Sequence, residues 1–508
     1  MKLPRRNFLH LAAGAAALPA TSGMTPVPPQ PGPSPTVSKK FVADFGAPTD
    51  GVTSANAALN RWKQFGQANP GAELVIEAGK YQFPQGFALL YRCVNPTITG
   101  AGSDKTELVT SHMVVGTNET FPQVRRGFVP IATVDAGAAA VTVLNSSEMS
   151  KLHVGGWVGV GGLSNQGGND GGYPPNLYYF EYHKIIAISG TAVTLDAPLR
   201  MSYRADWPPA HQSEFVGVDP FATTVCQGGP ACLIVMAPEF DSVAKLQGFT
   251  VTTPMDTHFQ AVRDLTIQDV VWNLSGKMMG PAVSMAQIAR FINCDVGQGQ
   301  NEVDKICERV EYTNCRGKDI LMQSTSIQEI VFDGCTFDSI VGCGKRTTIR
   351  NCTLNILQAG SIYGACDSLV IENSTVKQSK PAYHSQGYGK LKNYRKPTFT
   401  VPWSDLDAAR MAMNLLVPGH KYQAGYYYGA SATVADGQTR PFEFTVTGIR
   451  SDATNIYVDT DLTVDTLPTL TYLGGNPQNS WFGIPFKSVT ETGLTGQSFA
   501  KLAYQTEL

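Results

Sequence analysis

The chain has 508 residues, of which 16% are charged and 50 are glycine, with a formal net charge of −2. Globular chains usually carry about 25% charged residues and about 7% glycine, so this balance points to many turns, few charged surface helices and an all-β class. A net charge so near zero gives no sign of a nucleic-acid footprint, which needs a basic face, and no apolar run of about 18 or more residues is present to span a membrane.

The first 23 residues read as an address. Lys2, Arg5 and Arg6 precede a short Ala- and Gly-rich apolar stretch, Phe8 to Leu18, with small residues at Ala17 to Ser22. Arg5-Arg6 followed by Asn7-Phe8-Leu9 resembles a twin-arginine export signal. The expected location is therefore the periplasm or the extracellular space. Residues 24–38 (MTPVPPQPGPSPTVS) are Pro-rich and read as an extended linker. Within 39–124, the stretch 41–83 carries Asp44-Phe45-Gly46-Ala47, Asp50-Gly51 and Gly79-Lys80-Tyr81 around a short amphipathic helix with Ala58, Leu59 and Trp62 on one side.

Residues 125–215 run turn, strand, Phe-Glu-aromatic, strand, turn, strand, as an inserted β-module. Tyr173, Tyr178, Tyr179, Phe180 and Tyr182 cluster there beside Gly-rich turns. FEYHKI alternates like a strand, so Phe180 and Tyr182 read as core. Tyr173 and Tyr178 read as exposed rings for sugar C–H faces. Cys226 and Cys232 flank a Gly-Pro loop short enough for a small surface bridge.

From residue 244 one pattern recurs: apolar, any, apolar, any, a turn residue, then a small buried residue. Its copies are AKLQGF, LTIQDV, RFINC, VEYTNC, IVFDGC, TTIRNC and LVIENS. They end at Phe249, Val270, Cys294, Cys315, Cys335, Cys352 and Ser374, at spacings of 21, 24, 21, 20, 17 and 22. Period-2 alternation marks strands with one buried face. A repeat of this length holds about three short strands per coil, which suits a parallel β-helix over 216–394 with coils about 4.8 Å apart. Leu246, Ile267, Phe291, Tyr312, Phe332, Ile349 and Ile371 then form one inward ladder, and the cysteines form another in which thiols act as small apolar groups. Cys307 and Cys366 share a second inward slot. Asp269, Asn293, Asn314, Asn351 and Asn373, with Gly248 and Gly334, fall at a corner that needs left-handed backbone. Buried Asn amides stacked there would hydrogen-bond from coil to coil. Residues 395–508 read as a C-terminal β-module related to the first.

The 41–83 elements and the coil repeat resemble the pectate-lyase-like superfamily, which contains glycosidases, polysaccharide lyases and phage tailspike depolymerases. The resemblance implies a right-handed parallel β-helix whose N-terminal helix plugs the open end of the stack. It implies a polysaccharide partner and cleavage by a glycoside hydrolase or lyase, although fold does not fix reaction. The polygalacturonase motifs Asn-Thr-Asp, Asp-Asp, Gly-His-Gly and Arg-Ile-Lys are absent, as is the Asp-Pro-His of alginate epimerases. An alternative is a non-catalytic glycan-binding or cell-surface structural β-helix protein, and a further one is an epimerase or transferase.

Hydrolysis needs two carboxyl groups about 5–9.5 Å apart. Lyase chemistry needs a base and a cation, Ca²⁺ included, to neutralise a uronate. No other cofactor is expected. Both site types must face outward. Arg290, Arg309, Glu311, Glu329, Asp333, Arg346 and Arg350 precede the corner with alternating sign and read as an ion-pair ladder. After the corner, in loops of variable length, stand Asn273, Lys318, Asp338, Asn355 and Lys377, with Asp256, His258, Glu302, Asp304, Lys305 and Asp319 nearby. The candidates are Asp304, Asp319 and Asp338 as acid and base of a hydrolase, and Lys318 or His258 as base of a lyase. Tyr173, Tyr178 and Lys377 are candidates for holding substrate. No sequence feature sets the oligomeric state.

Overall fold

A computed structural model describes residues 37–89, 95–116, 125–162, 180–200, 203, 231–254, 257–260, 262–274, 280–284, 286–303, 307–322, 327–342, 344–359, 366–381, 398–402, 418–419, 421–426, 432–433, 442–452, 454–461, 469–470, 480–481 and 486–500. The export-type segment and the Pro-rich linker fall outside these residues.

The period-2 repeat builds two long parallel sheets. One stacks Glu73–Ile76, Thr97–Gly100, Val243–Thr253, Asp264–Leu274, Ile288–Ile292, Arg309–Thr313, Glu329–Asp333, Arg346–Arg350, Cys366–Glu372 and Phe486–Thr492. The other runs from Phe87–Leu89 through Met113–Gly116, Thr257–Gln260, Pro281–Ser284, Gln300–Val303, Arg316–Met322, Thr336–Val341 and Thr353–Ala359 to Thr375–Pro381 and Thr495–Gly496. The protein is thus all-β, a right-handed parallel β-helix.

Register is kept along the axis. Leu74, Ile98, Leu246, Ile267, Phe291, Tyr312, Phe332, Ile349 and Ile371 follow one another through successive strand pairs, and all are buried. The ladder therefore begins two coils before the first sequence copy. Phe291, Tyr312 and Phe332 stack face to face, with centroids 4.9 and 5.2 Å apart and planes within 8° and 10°. Those separations match the inter-strand spacing, so ring stacking and backbone pairing reinforce each other. Cys294, Cys315, Cys335 and Cys352 are buried in the neighbouring ladder. Cys294, Cys315 and Cys335 donate their thiols to backbone carbonyls one coil away, Ile267, Phe291 and Tyr312. Burial pushes the Cys315 thiol above its ordinary range, in keeping with its packing as a small apolar group.

At the corner, Asp269, Asn293, Asn314, Asn351 and Asn373 have φ between 46° and 54°, the left-handed conformation that Asn and Asp tolerate best after glycine. Gly248, Gly334 and Gly493 take the same place at φ 73°, 67° and 63°. A Cβ at Gly334 would run into the Asn314 amide of the coil before. Asn314 donates to Asn293 at 3.3 Å, and Asn293 to Asp269 at 3.0 Å. These Asn residues are exposed, which corrects the expectation of a buried amide ladder: a side chain at a sharp corner points away from the core.

The helix Asn56–Ala68 closes the N-terminal end, burying Ala58, Leu59 and Trp62. Two antiparallel sheets interrupt the solenoid. The first has six strands and takes in Arg125–Pro130, Trp157–Gly162, Phe180–Ser189 and Ala231–Met236, so it reaches past residue 215. Cys232 lies fully buried within it, and Cys226 lies outside the described residues. The second contains Thr398–Pro402, Lys421–Tyr426, Phe442–Ser451 and Asn455–Thr460.

The chain does not end in that second sheet. Phe486–Thr492 returns to pair with Cys366–Glu372 and adds a last coil. Its inward position, opposite Ile371, is Glu491, which hid the copy from apolar patterning. Glu491 accepts the amides of Phe499 at 2.6 Å and Ala500 at 3.1 Å.

Tyr312 is the central ring of the stack, fully buried with its hydroxyl 3.2 Å from Asn301 Oδ1. Tyr312→Ala is expected to cost about 3–5 kcal/mol through cavity formation, read as a lowered denaturant midpoint. A midpoint change no larger than that of an exposed-face substitution would contradict this packing.

Candidate functional site

The post-corner candidates lie on a bend in the second sheet. Phe337, Leu354 and Val376 point inward in register with Gly317, and the next inward set is Ile320, Ile340, Leu357 and Ser379. Inward positions are two apart in a flat strand. Here they are three apart, so two consecutive residues per coil face outward. This bend also supplies the third face of each coil. One outward column is Lys318, Asp338, Asn355 and Lys377, and the other is Asp319, Ser339, Ile356 and Gln378.

Lys318, Asp338 and Lys377 are exposed, while Asp319, Ser339 and Asn355 are half-buried. The Ser339 hydroxyl donates to Asp319 Oδ1 at 2.6 Å, and the Asn355 amide donates to Asp338 Oδ1 at 2.8 Å. Each carboxylate is thus oriented by a donor on the following coil. A strand spacing of about 4.8 Å puts the two carboxylates on the scale that glycoside chemistry spans. The bend forms a ridge on which Lys318 and Asp319 share one coil, Asp338 stands on the next, and Lys377 stands two coils further on.

His258 is not brought to this ridge. It sits half-buried in Thr257–Gln260 beside Val114 and Ala282, three strands from Asp319 in the same sheet. Glu302 pairs with Leu321 in the strand beside Asp319. Asp304, Lys305, Asp256, Tyr173 and Tyr178 lie outside the described residues. Among the described residues, no group of three or more His, Cys, Asp or Glu side chains converges to hold a metal ion.

Of the pre-corner charges, all but Arg346 form ion pairs among the described residues. Arg309 bridges Glu311 at 2.5 Å and Glu329, and Arg350 meets Asp333 at 2.9 Å. Arg290 is 3% exposed and holds Asp264 at 2.6 Å. Its Nε is 3.4 Å from Glu311.

A second charged cluster escaped the sequence reading. Glu181 and His183 alternate on the strand Phe180–Ser189 of the first insert, at 0% and 2% exposure. His183 Nε2 lies 3.2 Å from Glu181, and Nδ1 lies 3.1 Å from Asp196. Glu181 also accepts the Tyr203 hydroxyl at 2.9 Å and the Arg200 amide at 2.9 Å. The Arg200 guanidinium reaches Glu181 at 3.3 Å and Glu308 of the solenoid at 2.6 Å. The Tyr182 amide also donates to Glu308.

Burial opposes ionisation of Glu181, but the His183 hydrogen bond and the Arg200 charge outweigh it and hold the carboxyl below its usual range. Burial likewise opposes the charged His183, yet Glu181 and Asp196 hold that imidazole above its usual value. Burial pushes Glu308 up against the pull of Arg200. The sequence cue was Glu-x-His inside an otherwise apolar strand. Its partners Arg200 and Glu308 come from distant segments, so chain order could not join them. Both glutamates are buried with their polar contacts inside the protein, which makes the cluster a junction between insert and solenoid.

The class of protein defined here is the parallel β-helix carrying inserted antiparallel sheets. No protein-family model matches the chain, and no curated protein matches it. Among solved structures it is similar to the tailspike protein gp49 from Pseudomonas phage LKA1, at 12% identity and TM-score 0.32, over 87% of this chain and 98% of that one. It is also similar to the Pseudomonas phage phi297 tailspike gp61, at 12% identity and TM-score 0.31, over 85% and 97%. A third is the gp54 tailspike of Acinetobacter baumannii bacteriophage AP22, solved in complex with a capsular saccharide, at 8% identity and TM-score 0.27, over 87% and 94%.

Arg290→Met would leave Asp264, 7% exposed, without its guanidinium. The expected loss is about 3–5 kcal/mol. Arg350→Met, at an exposed pair, should cost under about 1 kcal/mol. Equal shifts in urea midpoint for the two variants would contradict the assignment.

Proposed function

We propose that this is an exported carbohydrate-active protein of the pectate-lyase-like kind that binds and cleaves a polysaccharide along the ridge. The observation carrying the reading is that Asp319 and Asp338 face outward on adjacent coils, each hydrogen-bonded by the next coil. A sugar ring is about as long as the roughly 4.8 Å coil spacing, so a glycan laid along the axis meets an equivalent position at each ring. Lys318 and Lys377 are exposed and form no ion pair among the described residues, and they are suited to hold acidic or hydroxyl groups beside the carboxylates.

In the hydrolytic form, one carboxylic acid protonates the glycosidic oxygen as the bond to the anomeric carbon breaks. The other carboxylate attacks that carbon or deprotonates a water that does so. Tyr173 and Tyr178 are the aromatic residues proposed to pack against sugar faces. A lyase reading draws on Lys318, opposite Asp338 in register, as the base that removes the proton next to a uronate carboxyl. Export rests on the basic, Arg5-Arg6-containing N-terminus. Among the described residues, no helix is long and apolar enough to cross a membrane.

The test is incubation with plant, algal and bacterial polysaccharides. New reducing ends without ultraviolet-absorbing product mark hydrolysis, an unsaturated product marks elimination, and binding alone marks a glycan-binding module. Asp319→Asn and Asp338→Asn should each lower cleavage by about 10²–10⁴-fold. Lys318→Gln should do so only if the product is unsaturated. Cleavage that survives all three substitutions places the chemistry elsewhere.

A further inference from the structure

The second insert presents a polar sheet face, on a different sheet from the ridge. Apolar residues alternate along Asn455–Thr460, and Ile456 and Val458 are fully buried, so Asn455, Tyr457 and Asp459 lie on the opposite face. In register, Tyr457 stands between Thr400 and Arg450, and Asp459 stands between Thr398 and Gly448. The Arg450 guanidinium lies over the Tyr457 ring, 4.4 Å from its centroid, and its Nε donates to Asp459 Oδ2 at 3.2 Å. The Tyr457 hydroxyl donates to Asp452 Oδ2 at 2.7 Å, and the Thr398 hydroxyl donates to Asp459 Oδ1 at 2.6 Å. Ring, guanidinium and carboxylate are thus each held by two contacts.

Gly448 sits directly beside this network, and its backbone does not call for glycine. It follows a register shift between Val446 and Gly448, a place where glycine ordinarily supplies left-handed backbone. Its φ nevertheless lies outside the left-handed region. A Cβ there would meet only Asp459, with Oδ2 at 3.6 Å, an ordinary contact. Glycine inside a strand weakens it, and often marks a place where another group approaches closely. The missing side chain leaves a notch beside Asp459 and Arg450.

We propose that this notch is a second glycan site, which takes the carboxylate of an acidic sugar on the Arg450 guanidinium. Nε is committed to Asp459, and the side chain is 59% exposed, so the two terminal nitrogens are the donors offered to a partner from solvent. Parallel donors in a rigid plane match a carboxylate. Asp459 is 32% exposed, and its oxygens can accept sugar hydroxyls as well. Thr400, exposed beside Tyr457, adds a hydroxyl of its own. A carboxylate on Arg450, hydroxyls on Asp459 and a ring over Gly448 together describe a uronate. The site does not depend on cleavage at the ridge.

Isothermal titration of the full chain with oligomers of galacturonate, glucuronate or mannuronate, and with their methyl esters, tests the site. At least one uronate should bind, and more weakly as salt rises. Its ester, the same sugar without the charge, should bind about 10–100-fold less tightly. Arg450→Gln should lower affinity for the uronate by about the same factor. Arg450→Lys keeps the charge and loses the planar fork, so it should restore only part. Both act at an exposed side chain, and an unchanged urea midpoint shows that the fold is intact. Gly448→Thr fills the notch with a residue better suited to a strand than glycine, so it should weaken binding while the sheet stays folded. Lys318→Gln and Lys377→Gln, on the ridge, should leave this binding in place. The proposal is overturned if no uronate binds, if the esters bind as tightly, or if Arg450→Gln or Gly448→Thr leaves affinity unchanged. Loss confined to the two ridge variants would place the uronate on the ridge and overturn it equally.

Discussion

Every coil of this protein must lie over the previous one without slipping. A one-residue slip would turn the inward apolar set outward, and in a solenoid the error would pass to all later coils. Two devices hold register here. Rings and thiols repeat at the same inward position, so that Phe291, Tyr312 and Phe332 overlap face to face. A left-handed residue then closes the first face of each coil at the same place. Stacking rewards alignment and the corner prevents the chain from running on.

That constraint leaves the loops as the places where length can vary. Both antiparallel sheets are spliced in where the chain leaves one coil and enters the next, and each time the register resumes on re-entry. Thr97–Gly100 lies directly against Val243–Thr253 despite the intervening insert, and Cys366–Glu372 against Phe486–Thr492. The two ends are closed differently. A helix covers the first, and at the last a carboxylate occupies an apolar ladder position and caps the turn that follows.

Charge on the outer faces is handled in three ways. On the first sheet it is neutralised from coil to coil, as between Arg309 and Glu329. Beside the insert it is buried, with Glu181 and Glu308 sharing Arg200. On the bend of the second sheet, Lys318 and Lys377 extend into solvent beside two hydrogen-bonded carboxylates. The last arrangement is the one open to a ligand, and the buried one stabilises a junction.

The amino-acid sequence by itself determined the repeat. Alternating apolar residues, a small residue after the corner and Asn or Gly at the corner are local signals, recurring about every 21 residues. They place Cys294, Cys315, Cys335 and Cys352 in one buried ladder, and Lys318, Asp338, Asn355 and Lys377 in one column. Only the tertiary structure decided that Lys318 and Asp319 both face outward, because the bend that allows it breaks strict alternation. It also separated His258 from that bend by three strands and recovered the final coil from behind Glu491. Arg200 and Glu308 are 108 residues apart in the chain and meet at 2.6 Å, a pairing that depends on how two separately built sheets dock. Periodicity is written in neighbours along the chain, whereas docking depends on surfaces that exist only once the coils have stacked.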